Sequence, residues 1–196
     1  MELKEVIGDI ADAMVHIDQS GIPWQFRGRT FQPGVGPYGE VPLVRLIAEH
    51  LNTLPKFDAA IRTQRTPDLL VPNEWAIEFK IVRPYGDNGE PAQHWSVNML
   101  HPYEGNESSI GDCYKLLEFD CGERKAIAIV VYEHAQPRVD LTPLLKSFDA
   151  IVKDVSHFDL SPAVEERRDG LIHPVHQSLR VIAWEVKGRV QAATAH

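Results

Sequence analysis

Apolar residues recur at helical spacing near the start of the chain. Val6, Ile7, Ile10, Met14 and Ile17 share one face of a helix predicted over residues 3–17, and Ser20-Gly21 follows as a stop. Residues 40–54 repeat the pattern with Val44, Leu46, Ile47 and Leu51, and Pro42 is tolerated in the first turn. The pattern then changes to β. Residues 57–63 read as a first strand and 69–71 as a second. Pro72-Asn73 is a turn signal, and 75–82 is a third, mostly apolar strand. Residues 83–108 read as a long loop, and 108–119 as a helix capped by Ser108 or Ser109. Residues 125–132 are apolar on both faces, which places that strand centrally. Residues 141–155 read as a helix with Leu144, Leu145, Phe148 and Ile151 inward. Residues 161–178, with the charged run Glu165 to Asp169, read as irregular. Residues 181–186 read as a last strand, followed by a fraying tail from Gln191. The order is α-α-β-β-β-α-β-α-β, which predicts an α/β fold of three layers (α/β/α) with a central mixed β-sheet.

The 196 residues show no linker, repeat or low-complexity tract, so one domain over 1–196 is expected. Within it, 1–39 form a helix and arm, 40–134 the core, and 135–196 a closing helix and strand. Between the first two helices, residues 21–38 are rich in glycine, arginine and aromatics, with Gly28 at the tip of a small hairpin. Such a segment either covers the core or forms an arm for DNA or a second subunit. Hydrophobic content of 43% and charged content of 24% are ordinary for a globular chain. A formal net charge of −8 argues against an indiscriminate phosphate binder, though a local basic surface can sit on an acidic protein. No apolar run suits a membrane helix, and Met1 to Lys4 does not open like a secretory signal. Cys113 and Cys121 form no CxxC, so reduced thiols and a cytoplasmic location are expected.

The chemistry concentrates at 65–82. On a strand, Glu78 and Lys80 point one way and Phe79 the other. Two charges side by side in an apolar strand need a partner, a metal or a role. A three-residue turn pairing Val71 with Trp75 would set Asp68 opposite Glu78 on the same face. A two-residue turn would send the two carboxylates to opposite faces. Facing carboxylates repel unless a cation lies between them, and hard oxygen ligands suit Mg²⁺. His94 and His101 in the long loop fit no zinc spacing, and His173-Pro-Val-His176 is an HxxH with little weight in a proline-containing loop.

Pro67-Asp68…Glu78-Phe79-Lys80 resembles the PD-(D/E)XK motif of restriction-endonuclease-like nucleases, and the likeness runs from about residue 40 to residue 134. The resemblance implies the family's αβββαβ core and Mg²⁺-dependent hydrolysis of DNA phosphodiesters, with Mn²⁺ able to substitute. It implies metal ligation by Asp68, Glu78 and the Phe79 carbonyl, and a Lys80 that orients or deprotonates the attacking water. The helix before the first strand supplies a glutamate in such enzymes; Glu40 fits best by position, with Glu49 the alternative. The helix after the hairpin supplies a polar or basic residue, here Lys115, with Asp112 the weaker candidate. A restriction-type cutter acting as a homodimer on a palindrome is the leading subtype. A non-catalytic binding or assembly module on the same fold and a nuclease acting on RNA are the alternatives.

Overall fold

The computed structural model describes residues 1–101 and 108–189; Tyr103 of the long loop and the tail from Gln191 lie outside them. In chain order the elements are α1 (Leu3–Gln19), β1 (Gln25–Phe26), β2 (Arg29–Thr30), α2 (Glu40–Leu51), a 3₁₀ turn (Pro55–Phe57), β3 (Arg62–Thr63), β4 (Leu69–Val71) and β5 (Trp75–Val82). Then follow α3 (Val97–Leu100), α4 (Ser109–Glu118), β6 (Arg124–Glu133), α5 (Thr142–Ala150) with a π-helical turn (Ile151–Val155), β7 (Phe158–Leu160), β8 (Val164–Asp169) and β9 (Ser178–Arg189). Seven strands form one mixed sheet in the order β3-β4-β5-β6-β9-β7, with β8 also pairing along β9. Among the described strands only β5 and β6 run parallel, as a crossover through α4 requires. This is a mixed α/β fold consistent with a three-layer α/β class. No helix among the described residues is long and apolar enough to cross a membrane.

The strand alternation sorts the core into two layers. Ile77 and Phe79 of β5 and Ala128 and Val130 of β6 pack with Ile7, Ile10 and Met14 of α1 and Leu43 and Ile47 of α2. Ala76 and Val82, with Ile127 and Ile129, pack on the other face with Ile110, Cys113 and Leu116 of α4 and Phe148 of α5. β6 lies between β5 and β9 and is buried from Ala126 to Glu133, as its two-sided apolar run predicts. Ser108 caps α4, its hydroxyl accepting from the Gly111 N–H at 3.1 Å.

Several sequence expectations are corrected. The predicted strand over 57–63 shrinks to Arg62–Thr63. Phe57 ends the 3₁₀ turn, and Asp58 and Ala59 take positive φ, which an extended strand excludes. Asn52 then occupies both backbone groups of Ile61, accepting from its N–H at 2.9 Å and donating to its carbonyl at 3.0 Å. The second helix stops at Leu51 rather than residue 54. The loop after β5 contains the single-turn helix α3. In the helix expected over 141–155, α-geometry ends at Ala150, and of the four residues expected inward only Phe148 is fully buried. The run Glu165 to Asp169 is not irregular: it lies in β8, antiparallel to β9. Its charges hid it from an alternation test, and they are paired. Arg180 of β9 grips Glu165 through two nitrogens at 2.7 and 3.0 Å, and Arg168 bonds Glu166 at 3.0 Å and Asp12 of α1 at 2.8 Å. The hairpin with Gly28 at its tip is present, both Arg27 and Gly28 taking the positive φ that a tight two-residue turn needs.

Candidate functional site

The β4–β5 turn decides the geometry. Val71 pairs with Trp75, Leu70 with Ala76 and Leu69 with Ile77, around a turn of Pro72, Asn73 and Glu74. Asn73 takes the left-handed conformation that asparagine tolerates. Continued by one step, this register sets Asp68 opposite Glu78, on the face shared by Leu70 and Ala76. β4 begins at Leu69, so from Glu78 onward β5 has no partner on that edge. The sheet divides there, and the division forms the site. The Asp68 carboxylate takes the place of the missing strand, accepting the Phe79 N–H at 2.8 Å. The N–H and C=O of one strand residue point to the same side, so the Phe79 carbonyl also faces this open edge.

Glu78 and Lys80 project toward α4. Lys80 Nζ lies 3.0 Å from Asp112 Oδ2 and 3.5 Å from Glu40 Oε1, the first residue of α2. Asp112 in turn holds Lys115 at 2.7 Å, the i,i+3 spacing bringing both to one helix face. Asp68, Glu78, Lys80, Glu40 and Lys115 are therefore brought together, and Asp112 joins them as the buried carboxylate between the two lysines. Glu49 is excluded: it points to solvent beside Arg45 at 3.8 Å. Glu40 arrives at Lys80 because the preceding segment is pinned. Arg83, one residue past β5, donates through Nε to the Gly36 carbonyl at 2.7 Å and through Nη2 to the Tyr38 carbonyl, and its guanidinium stacks on Tyr132. Neither Asp112's weight nor the role of Arg83 was evident from spacing. The signal available for Asp112 was a helix-interior aspartate three residues before a lysine.

The electrostatics follow from burial. Desolvation raises Glu78 above the usual carboxylate range, and the facing Asp68 raises it further, to about 9. Desolvation also raises Asp68, opposed by the Phe79 N–H. The two carboxyls thus hold a proton between them at neutral pH. Burial disfavours charge on Lys80, but Asp112 and Glu40 together outweigh it and raise its pKa, so Lys80 is a fixed ammonium. Desolvation likewise raises Glu40. Four carboxyl groups face two ammonium groups, and Glu78 Oε1 is buried with no hydrogen-bond partner among the described residues. A divalent cation fits this donor set. It would replace the shared proton and satisfy the unpartnered oxygen with hard oxygen ligands.

A second cluster stands apart. Asp87, His173 and His176 place one ligand-type atom each within 4.8 Å of one another, and both histidines are buried. The HxxH is therefore a packed feature, not incidental loop sequence. Its tautomers are fixed by neighbours. His176 Nε2 donates to the Tyr85 carbonyl at 3.0 Å, leaving its Nδ1 lone pair toward Asp87 Oδ1 at 3.6 Å. His173 Nδ1 accepts from the Val175 and His176 N–H groups, each at 3.1 Å, so its Nε2 carries the proton and has no lone pair for a metal. His173 Nε2 and His176 Nδ1 are buried with no hydrogen-bond partner among the described residues, and with Nε2 protonated the three atoms do not offer three lone pairs. Burial lowers His176 to about 4, keeping it neutral. The cluster latches the 85–91 loop to the 171–177 loop. His94 is exposed and belongs to neither cluster.

Comparisons with protein-family models, curated proteins and solved structures gave no match.

Proposed function

We propose that the protein is a metal-dependent phosphodiesterase of the PD-(D/E)XK type that hydrolyses nucleic acid, DNA being the leading substrate. The observation that carries this reading is the Asp68–Glu78 pair across the divided sheet, with the Lys80 ammonium two residues further along β5. The order α2-β3-β4-β5-α3-α4-β6, with β5 and β6 parallel and α3 a single turn in the loop, supports a restriction-endonuclease-like core.

Asp68, Glu78 and the Phe79 carbonyl would hold Mg²⁺ or Mn²⁺. The bound cation supplies Lewis-acid stabilisation of the phosphoryl oxygens and lowers the pKa of a bound water. Lys80, held protonated by Asp112 and Glu40, donates to the attacking water and to the charge growing on the phosphate; a fixed ammonium cannot serve as the general base. Asp112 and Glu40 aim Lys80, and Lys115 offsets the acidic excess beside Glu78.

The test is cleavage of supercoiled plasmid, linear duplex, single-stranded DNA and RNA with Mg²⁺ or Mn²⁺, against EDTA and Lys80→Ala. The expected result is cleavage that requires metal and falls at least about 100-fold in Lys80→Ala, the scale of losing one preorganised donor. Equal cleavage by wild type and Lys80→Ala would remove the assignment. A protein that cleaves none of these and binds no divalent cation by calorimetry would instead be a binding module on this fold.

A further inference from the structure

A groove of about 420 Å³ opens directly onto Asp68, between the first turns of α2 and the segment from β3 to β4. Its apolar floor is Val41 and Val44. Its polar lining is Arg45, Gln64 and Arg65. Val41 is 75% exposed, so its isopropyl group is accessible to whatever enters the groove.

The two arginines are uncommitted. Arg65 is exposed and makes no ion pair or hydrogen bond through its guanidinium among the described residues. Arg45 has only Glu49 at 3.8 Å, with both side chains about two-thirds exposed, a pairing that contributes little. By contrast Arg167, Arg168 and Arg180 at the β8–β9 edge all lie in short carboxylate pairs. On a chain of net charge −8, these two guanidinium groups supply local positive charge beside the acidic site. Gln64 donates its amide to the Thr66 carbonyl at 2.7 Å, which leaves its own carbonyl oxygen facing outward as an acceptor.

We propose that this groove binds the nucleotide next to the scissile phosphodiester, with Arg45 and Arg65 taking its phosphate and Val41 and Val44 packing against its sugar or base. The chemistry matches part by part. Guanidinium groups engage phosphate oxygens through two donors at once, an apolar floor accepts a sugar edge or base face, and the volume falls in the range of ligand sites. An arginine contacting phosphate positions the strand without reading sequence, so the groove selects a nucleic-acid backbone rather than a particular base. The proposal rests on the hydrolytic reading of the adjacent carboxylates for its term "scissile", but not for its term "binds".

The experiment separates the two. Affinity for fluorescent single-stranded and duplex oligonucleotides is measured across a salt series with Lys80→Ala protein. It is repeated after adding Arg45→Gln and Arg65→Gln, and after adding Lys146→Gln on the exposed face of α5 as a distal charge control. The two arginine changes together should weaken binding about tenfold and reduce the slope of log K against log salt by roughly 1–2, while the control does neither. In otherwise wild-type protein the same pair should raise KM with kcat held within about threefold. Cleavage that persists with KM and salt slope unchanged overturns the groove and leaves the hydrolytic reading intact. Absence of cleavage on every substrate, with arginine-dependent and salt-sensitive binding retained, overturns the hydrolytic reading and leaves the groove. Loss of affinity equal in the Lys146→Gln control also overturns the groove, since the effect is then one of net charge alone.

Discussion

Glu78 is the residue whose environment asks most of the rest of the site. It is 4% exposed, opposite a second carboxyl, and raised to about 9 from an ordinary value of 4.5. A carboxyl with a raised folded-state pKa binds its proton more tightly folded than unfolded. Its contribution to stability is fully present below about pH 4.5 and is lost as pH rises through 9. The urea midpoint in EDTA should therefore fall between pH 5 and pH 9. Mg²⁺ should reverse the fall, because a bound cation substitutes for the proton, and Glu78→Gln should remove both the fall and the rescue. A wild-type midpoint that stays level across this range in EDTA would contradict the buried, proton-sharing pair. Lys80 is the complementary case. Its charge is maintained by Asp112 and Glu40, so its chemistry is donation. The sequence made Glu78, Lys80 and Asp68 legible because strand alternation and turn length are local rules. Asp112 was undervalued because its importance comes from burial on the sheet-facing side of α4, which no short-range pattern reports.

At the scale of elements, the site depends on segments that the hydrophobic pattern could not resolve. The strands and helices of the core were readable where one face is apolar, as in β6, α1 and α4. β8 was not, because an edge strand carrying Glu165, Glu166, Arg167 and Arg168 satisfies itself through ion pairs rather than alternation. β3 was overextended because the apolar residues from Phe57 to Ile61 are used in a 3₁₀ turn and an asparagine clasp. The segment 34–39 shows how such irregular chain is positioned. Asp18 of α1 accepts from the N–H groups of Val35 and Ile172, both at 2.8 Å, and Arg83 holds the carbonyls of Gly36 and Tyr38. Gly36 lies so close to the His176 ring that an added Cβ would meet Nδ1 at 2.3 Å and the His176 Cβ at 2.6 Å. Gly36→Ala must push this segment off the histidine latch. We expect a loss of about 2 kcal/mol, the ordinary cost of overpacking, seen as a lower urea midpoint. Cleavage should fall more than stability alone explains, because the same shift draws Glu40 away from Lys80. Full activity in a destabilised Gly36→Ala protein would show that Glu40 is positioned by α2 itself.

For the molecule as a whole, the two core layers meet across β5, β6 and β9, and strand pairing is unevenly distributed. β6 and β9 are bonded along eight residue pairs, as are β5 and β6, whereas β4 is tied to β5 by three and β3 to β4 by two. The β3–β4 edge carries Asp68 and the Gln64–Arg65 lip of the groove, while Glu78 and Lys80 stand on the deeply paired strand. One half of the site is thus attached to the most weakly held part of the sheet. Amide hydrogen exchange reads this directly. The amides of Leu69 to Val71 should exchange by local opening well before those of Val130 or Val181, which should open only with global unfolding. If Asp68 and Glu78 hold Mg²⁺ as proposed, its addition should slow exchange at Leu69 to Val71 while leaving Val181 nearly unchanged. The division of the sheet at Glu78 would then act as a hinge that the cation closes, and the protein's readiness to engage a strand would be set by how often that edge breathes.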